Sequence, residues 1–122
     1  MRDYRQLKVW ERSHALTLRS YLVTGAYPPD ERFGLVSQTR RSVSSIPMNI
    51  AEGSGRMTRA DYSRFIGYAS ASCNEAEYQL LLGRDLGYLA DSDFEAMSQE
   101  LSELRAMLTS LQRTLLRTSA SS

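Results

Sequence analysis

The feature that most constrains the fold is a series of apolar residues near the end of the chain, spaced alternately three and four positions apart. Seven residues follow this spacing: Phe94, Met97, Leu101, Leu104, Leu108, Leu111 and Leu115. Such spacing places every member on one face of an α-helix, and its seven-residue repeat is typical of helices that pack against other helices. A helix over about 92–118 with this apolar face requires partner helices.

Three earlier segments supply those partners. Capping residues and the breaking Gly and Pro residues predict helices over about 4–23, 30–53 and 58–89. The predicted inward residues are Leu7, Trp10, His14, Leu18 and Tyr21 in the first helix, Val36, Thr39, Val43, Ile46 and Ile50 in the second, and Tyr62, Ile66, Ala69, Cys73, Ala76, Leu80, Gly83 and Gly87 in the third. Pro47 lies inside the second pattern, where it is expected to bend the helix without ending it.

These elements predict an all-α fold. Only Ala90 and Asp91 separate the third helix from the capping box that starts the fourth, so those two helices must be antiparallel neighbours. No segment carries a competing strand pattern. Residues 1–122 are therefore expected to form a single domain, an antiparallel up-down-up-down four-helix bundle.

The residue inventory argues against catalysis. The chain has one cysteine, Cys73, and one histidine, His14, so it can form neither an internal disulfide nor a Cys/His metal site. Ser44 and Ser45 have no histidine to activate them, because His14 is assigned to the core stripe of the first helix. The expectation is a non-enzymatic protein with no catalytic residues, no metal and no cofactor.

Location follows from three features. The charged start of the chain is not followed by an apolar signal core, and no apolar stretch reaches membrane-spanning length. A lone thiol is consistent with a reducing compartment. A cytoplasmic protein with no membrane role is expected.

The charge is unevenly distributed along the chain. Residues 1–64 carry eleven Lys/Arg and six Asp/Glu, a net +5, whereas residues 65–122 carry four against eight, a net −4. Fourteen of the fifteen basic residues are arginine, which binds phosphate through two parallel hydrogen bonds. The candidate nucleic-acid-binding residues are Arg40, Arg41, Arg56, Arg59 and Arg64 at the expected junction of helices two and three, and Arg5, Lys8 and Arg12 on helix one.

The end of the third helix is apolar on nearly every side. A helix that is apolar all round must be buried on more than one face. The excess surface is explained either by contact with another subunit or by an unusually wide core face. The candidate subunit-interface residues are Leu81, Leu82, Leu86 and Leu89.

Residues 33–56 resemble the hallmark of the four-helix bundle protein family, also called 23S rRNA intervening-sequence proteins or S23 ribosomal proteins. The specific part is the Ser45-Ile46-Pro47 triplet followed by residues 49–53, Asn-Ile-Ala-Glu-Gly. Residues 7–10, Pro28 and residues 62–65 agree as well, whereas Ala71 and Ala76 stand where the family often has Gly and Leu. The resemblance extends to the accessory protein of diversity-generating retroelements.

That relative is a pentameric barrel with a basic surface that binds nucleic acid and a reverse transcriptase. The resemblance therefore implies a homo-oligomer, expected to be a pentamer, with RNA or DNA and a reverse transcriptase or other protein as candidate partners. It does not imply a ribosomal role. Within the hallmark, Ser45, Pro47, Asn49, Glu52 and Gly53 are interpreted as a structural motif, a polar network around the proline bend and the following turn.

Two functions remain open. The first is a nucleic-acid-binding accessory protein that uses arginines on one face of an oligomer. The second is a protein-interaction scaffold without a nucleic-acid role. Arginines clustered on an open surface favour the first, and arginines held against Glu or Asp favour the second.

Overall fold

Four antiparallel α-helices make up the computed structural model, which describes the backbone of residues 3–121 and the side chains of residues 3–117. They are α1 (Lys8–Thr24), α2 (Leu35–Ser54), α3 (Arg59–Asp85) and α4 (Asp91–Ser121). Consecutive helices pack against one another, and α4 also contacts α1, which closes the bundle. The described residues contain no strand. The predicted all-α four-helix bundle is confirmed.

The first two helices begin later than predicted. Asp3 caps a short 3-10 helix, Tyr4–Gln6, by accepting a hydrogen bond from the Arg5 backbone nitrogen, and α1 begins only at Lys8. Before α2, Pro29–Glu31 form a separate 3-10 turn. The Glu31 carboxylate then accepts a hydrogen bond from the Leu35 nitrogen, 3.2 Å, and satisfies a donor at the start of α2.

The third helix ends four residues earlier than predicted. Gly87 adopts a φ of +83°, a left-handed conformation that suits glycine because it has no side chain. The nitrogens of Tyr88 and Leu89 then bond back to the Gly83 carbonyl, which closes the helix end. Gly87 is thus a stop signal rather than the inward residue that its spacing predicted.

Pro47 lies within α2, and the helix continues through it to Ser54, as predicted. The inward faces of α2, α3 and α4 are also largely as predicted. The fully buried side chains include Val43, Ile46 and Ile50 of α2, Ile66, Cys73 and Leu80 of α3, and Met97, Leu101, Leu104 and Leu108 of α4. The core of the bundle is therefore built mainly by three of the four helices.

The inward face of α1 differs from the prediction. Its buried residues are Val9, Ser13, Leu16, Thr17, Ser20 and Thr24, whereas His14, Leu18 and Tyr21 are exposed. The four buried hydroxyls each donate to a carbonyl three or four residues earlier in the same helix. Because these polar groups are satisfied within α1, they can be buried without the usual desolvation penalty.

In the described part of the chain, no helix is both long enough and apolar enough to span a membrane.

Candidate nucleic-acid interface

The antiparallel packing sorts the charged residues between the two ends of the bundle. Ser45 Oγ lies 2.5 Å from Ser72 Oγ, and the Gln112 amide donates to the Ser63 carbonyl at 2.9 Å. Leu7 and Lys8 share a surface groove with Ser110 and Leu111, so the starts of α1 and α3 lie at the same end of the bundle as the ends of α2 and α4. We call this the basic end. Its charged side chains are Arg5, Lys8, Arg56, Arg59, Arg64, Arg113 and Arg117, with Asp3, Glu11, Glu52 and Asp61.

The two ends have opposite charge. Among the described residues, the basic end has seven cations and four carboxylates, a net +3. The opposite end has three cations and six carboxylates, a net −3: Arg19, Arg32 and Arg84, with Asp30, Glu31, Asp85, Asp91, Asp93 and Glu95. In the middle of the bundle, between the two ends, the described carboxylates and cations are equal in number. The charge asymmetry inferred along the sequence is therefore an asymmetry along the bundle axis, with different members.

Three arginines leave the basic end open to an anion. Arg59, Arg113 and Arg117 have exposed side chains, and none of them forms an ion pair within the part of the chain that the structure describes. Arg59 begins α3, and the other two lie near the end of α4. Arg113 and Arg117 were missed from the sequence because they belong to its acidic half. They could have been predicted from the antiparallel topology, because it places the end of α4 beside the start of α3.

Arg56 and Arg64 are partly committed at this end. The Arg56 guanidinium lies 4.5 Å above the Phe65 ring, with its Nε 3.4 Å from Asp61 Oδ2. That contact is an ion pair without a hydrogen bond, because the described residues give the buried Nε no bonding partner. Arg64 instead donates two hydrogen bonds to Asp61 Oδ1, at 2.6 and 3.0 Å, and this bonding raises the pKa of Arg64. Asp61 thus offsets part of the charge of both arginines.

A shallow cleft of about 230 Å³ opens beside Arg56 and Arg59. Thr58 caps α3 here by accepting a hydrogen bond from the Asp61 nitrogen at 3.0 Å. The cleft is lined by Ser54, Arg56, Met57, Thr58, Arg59, Tyr62 and Leu115. It is open and basic, and its walls come from three helices.

The other predicted basic residues do not join this cluster. Arg40 and Arg41 lie in the first half of α2, 16 and 15 positions before Arg56, which follows the end of that helix, so roughly 20 Å separates them along the axis. The expected cluster at the junction of helices two and three is therefore wrong, since only Arg56, Arg59 and Arg64 meet there. An α-helix rises 1.5 Å per residue, so two basic groups far apart in its sequence do not share a surface.

Three predicted residues of helix one are also paired with acids. Arg5 bonds Asp3 at 2.8 Å, and Lys8 lies 3.7 Å from Glu11. Arg12 is not on an exposed face, because it donates to Glu100 at 2.5 Å and its side chain is only 29% exposed. It also bonds Glu103 at 2.6 Å, and these bonds raise the pKa of Arg12. Arg12 therefore joins α1 to α4 and is not available to a ligand.

The hallmark motif is partly structural. Ser45 bridges α2 to Ser72 of α3, and Gly53 lets α3 approach closely, because a Cβ there would lie 2.9 Å from Tyr62 and from Phe65. Asn49 donates to the Ser45 carbonyl within its own helix at 2.8 Å. Glu52 is exposed, and its one ion-pair partner among the described residues is Arg56, at 3.9 Å. Ser45 and Asn49 are linked through the Ser45 carbonyl, whereas Glu52 and Gly53 act in contacts of their own, so the expected network does not join all the motif residues.

The candidate interface leucines occupy different environments. Leu89 is 5% exposed and belongs to the chain's own core, which excludes it from a subunit interface. Leu81 and Leu82 are half-buried, and Leu86 is 49% exposed. Other large apolar side chains are exposed on every helix and in two turns: Leu18, Tyr21 and Leu22 of α1, Met48 of α2, Tyr68 and Tyr78 of α3, Leu116 of α4, and Phe33 and Met57 between helices.

Groups with reactive potential are isolated. Cys73 is buried in the core, and this burial raises the pKa of its thiol to about 12, which keeps it protonated and unreactive. His14 is exposed and stacks on Trp10, with ring centroids 4.9 Å apart. No group of three His, Cys, Asp or Glu residues suited to a metal ion occurs among the described residues.

Comparison with known proteins agrees with this architecture. Among curated proteins, no sequence matches the chain. A crystal structure from Bacteroides thetaiotaomicron, described as a protein of unknown function from the S23 ribosomal protein family, superposes with a TM-score of 0.78. The two chains are 26% identical, over 86% of this chain and 95% of the other. The model of the 23S rRNA-intervening sequence proteins matches residues 5–110, so the chain belongs to that family.

Proposed function

We propose that the protein is a non-enzymatic accessory protein that binds RNA or DNA through phosphate contacts at the basic end. The observation that carries this proposal is the exposure of Arg59, Arg113 and Arg117 without carboxylate partners in the described structure. A guanidinium group without a carboxylate partner keeps its charge and its forked donors for phosphate. Neutralising phosphates releases counterions from the nucleic acid, which drives binding and makes it depend on salt.

Self-association strengthens such binding. Several basic ends on one assembly can engage one strand together, so weak sites give a tight complex. The outward face of α1 is the surface we assign to contacts between copies, because Leu18 and Leu22 are 60% and 79% exposed there. Exposed apolar residues on neighbouring turns form a patch that is unfavourable in water. Light scattering measures the number of copies, for which the family resemblance implies five.

The alternative is a protein-interaction scaffold. Arg5, Arg12, Arg41 and Arg64 all lie within ion-pair distance of Asp or Glu side chains. Arginines compensated in this way stabilise the bundle and contribute little to an anionic ligand. A scaffold function involves no nucleic acid, and it predicts that the basic end is dispensable for binding other proteins. A reverse transcriptase or another protein is a candidate partner beside nucleic acid, as the family resemblance implies.

A salt titration separates the two functions. The Arg59→Gln/Arg113→Gln variant is compared with Arg19→Gln/Arg84→Gln, which removes the same charge from the opposite end. Loss of two phosphate contacts should reduce the log–log salt slope by about 1.8 units on duplex DNA. The control should retain the wild-type slope. No binding at low salt, or equal losses in both variants, would favour the scaffold.

A further inference from the structure

A second basic surface lies away from the basic end, between the last turns of α1 and the first turns of α2. It is a groove of about 490 Å³, within the size range of small-ligand sites. We call it the Arg40 groove. Its lining residues are Tyr21, Arg32, Phe33, Val36, Ser37, Arg40 and Arg41. Three guanidinium groups and two aromatic rings thus share one surface.

Arg40 is fixed in place by neutral partners. Its Nε donates to Thr24 Oγ1 at 2.8 Å, and its Nη2 donates to the Tyr21 carbonyl at 3.1 Å. Its guanidinium carbon also lies 4.5 Å above the Tyr21 ring. Because neither acceptor is charged, the positive charge of Arg40 is not compensated by these bonds. A guanidinium has five N–H donors, so three remain for a ligand.

Few carboxylates compete for this groove. Glu75 is the one that comes within ion-pair distance of a lining residue in the described structure, and it lies 3.5 Å from Arg41, whose side chain is 65% exposed. Glu31 is engaged elsewhere, since its two oxygens accept hydrogen bonds from the Leu35 nitrogen and the Tyr88 hydroxyl. The lining therefore carries three guanidinium groups, with one carboxylate within ion-pair distance of them among the described residues.

The two rings are exposed beside these cations. Phe33 is 88% exposed, and the Arg32 guanidinium carbon lies 5.3 Å from its ring centroid. Tyr21 is 49% exposed. A ring that remains open to water next to a guanidinium offers a stacking surface and an anion contact within one side-chain length. This pairing suits a ligand that has both a flat ring and a negative charge.

We propose that the Arg40 groove binds an unpaired nucleotide of a single-stranded RNA or DNA, with the base stacked on Phe33 or Tyr21 and a phosphate on Arg32 and Arg40. This inference rests on the proposed nucleic-acid function and adds a preference for single strands. Bases in a duplex are stacked inside the helix and do not present their faces to protein rings, whereas bases in a single strand do. The basic end contacts phosphates in either form.

The test compares one labelled single strand with its own duplex. The Arg32→Gln/Phe33→Leu variant changes two exposed side chains, removes the ring and keeps an apolar residue. Single-strand affinity should fall about tenfold, as expected for the loss of one base stack and one phosphate contact. Duplex affinity should change about threefold or less. The control, Arg59→Gln at the basic end, should weaken the binding of both probes to a similar degree.

Adenosine monophosphate supplies a second readout. On its addition to the wild-type protein, the Arg40 Nε–Hε resonance should shift, and the Arg32→Gln/Phe33→Leu variant should lose the shift. If the groove variant binds both oligonucleotides as tightly as the wild type does, this inference alone is overturned. No binding of either oligonucleotide at low salt overturns the proposed function as well. A fall in assembly size with the groove variant would assign the groove to contacts between copies and overturn nucleotide binding there.

Discussion

The interface between α2 and α3 differs in kind from the interface between α1 and α4. The first contains small side chains and buried hydroxyls, including the contact of Gly53 with Tyr62 and Phe65 and the buried Ser42–Gln79 hydrogen bond. The second is joined by ion pairs that remain partly exposed. Arg12 bonds Glu100 and Glu103, and Arg19 bonds Asp93.

This difference shows how one bundle combines a rigid part with an adjustable part. Small residues let α2 and α3 approach so closely that any added atom must displace a neighbour. Ion pairs at a partly exposed interface tolerate small shifts and weaken as salt is added. The exposed rings of α1 and its outward leucines lie on the adjustable side. We expect changes in α2 and α3 to affect stability more than changes in α1.

The largest effect should come from emptying a position in the rigid part. Ile46 is fully buried on α2, so Ile46→Ala removes apolar contacts and leaves a cavity. We expect a loss of about 3 kcal/mol in the free energy of unfolding, measured by urea denaturation. Leu18→Ala on α1 is the control, because Leu18 is 60% exposed and should change stability by about 0.5 kcal/mol or less. Equal losses in the two variants would contradict the comparison.

A smaller effect should follow from adding one methyl group to the same part. In Gly53→Ala the new Cβ would lie 2.9 Å from Phe65 Cβ and from Tyr62 Cδ1. Overpacking should exceed the gain in helix propensity and destabilise the protein by about 1–2 kcal/mol in thermal or urea unfolding. Gly55→Ala serves as the control, because its new Cβ would find no atom closer than 3.6 Å. A stabilised Gly53→Ala variant would show that α2 and α3 can move apart at little cost.

The smallest effect should come from the ionic interface. Arg12→Ala removes two ion pairs, and we expect a loss of about 1 kcal/mol at neutral pH and low salt, decreasing as salt is added. Lys8→Ala is the control, because the Lys8–Glu11 pair is exposed and 3.7 Å long. Chemical denaturation at several salt concentrations measures both. A salt-independent loss would indicate that Arg12 acts through packing rather than charge.

The same variant has a defined pH dependence. Hydrogen bonds from Gln99 and Arg12 hold the pKa of Glu103 below its ordinary value of 4.5. A carboxyl whose folded-state pKa is lowered stabilises the fold above the unfolded pKa, and this contribution is lost as pH falls through the folded-state pKa. The stability difference between wild type and Arg12→Ala should therefore narrow below about pH 4.5. A constant difference down to strongly acid pH would contradict the ion-pair assignment.

The sequence by itself determined the number of helices, their order and the inward faces of α2 and α4. Those faces carry large apolar side chains at helical spacing, and hydrophobic burial is strong enough to choose between faces. The same reasoning failed for α1, where Trp10, His14, Leu18 and Tyr21 form the more apolar stripe. The buried face of α1 instead holds Ser and Thr, whose hydroxyls bond their own helix, so hydropathy undervalues it.

Tertiary structure alone decided which charges act together. Counting along the sequence grouped Arg40 with Arg56 and assigned Arg113 and Arg117 to an acidic half, whereas the antiparallel bundle separates the first two and brings the last two to the same end as Arg59. It also paired Arg12 with carboxylates about ninety positions away. The physical reason is the distance in sequence over which each interaction acts. Helix formation and face selection depend on neighbours within a few positions, whereas electrostatic energy depends on distance in space.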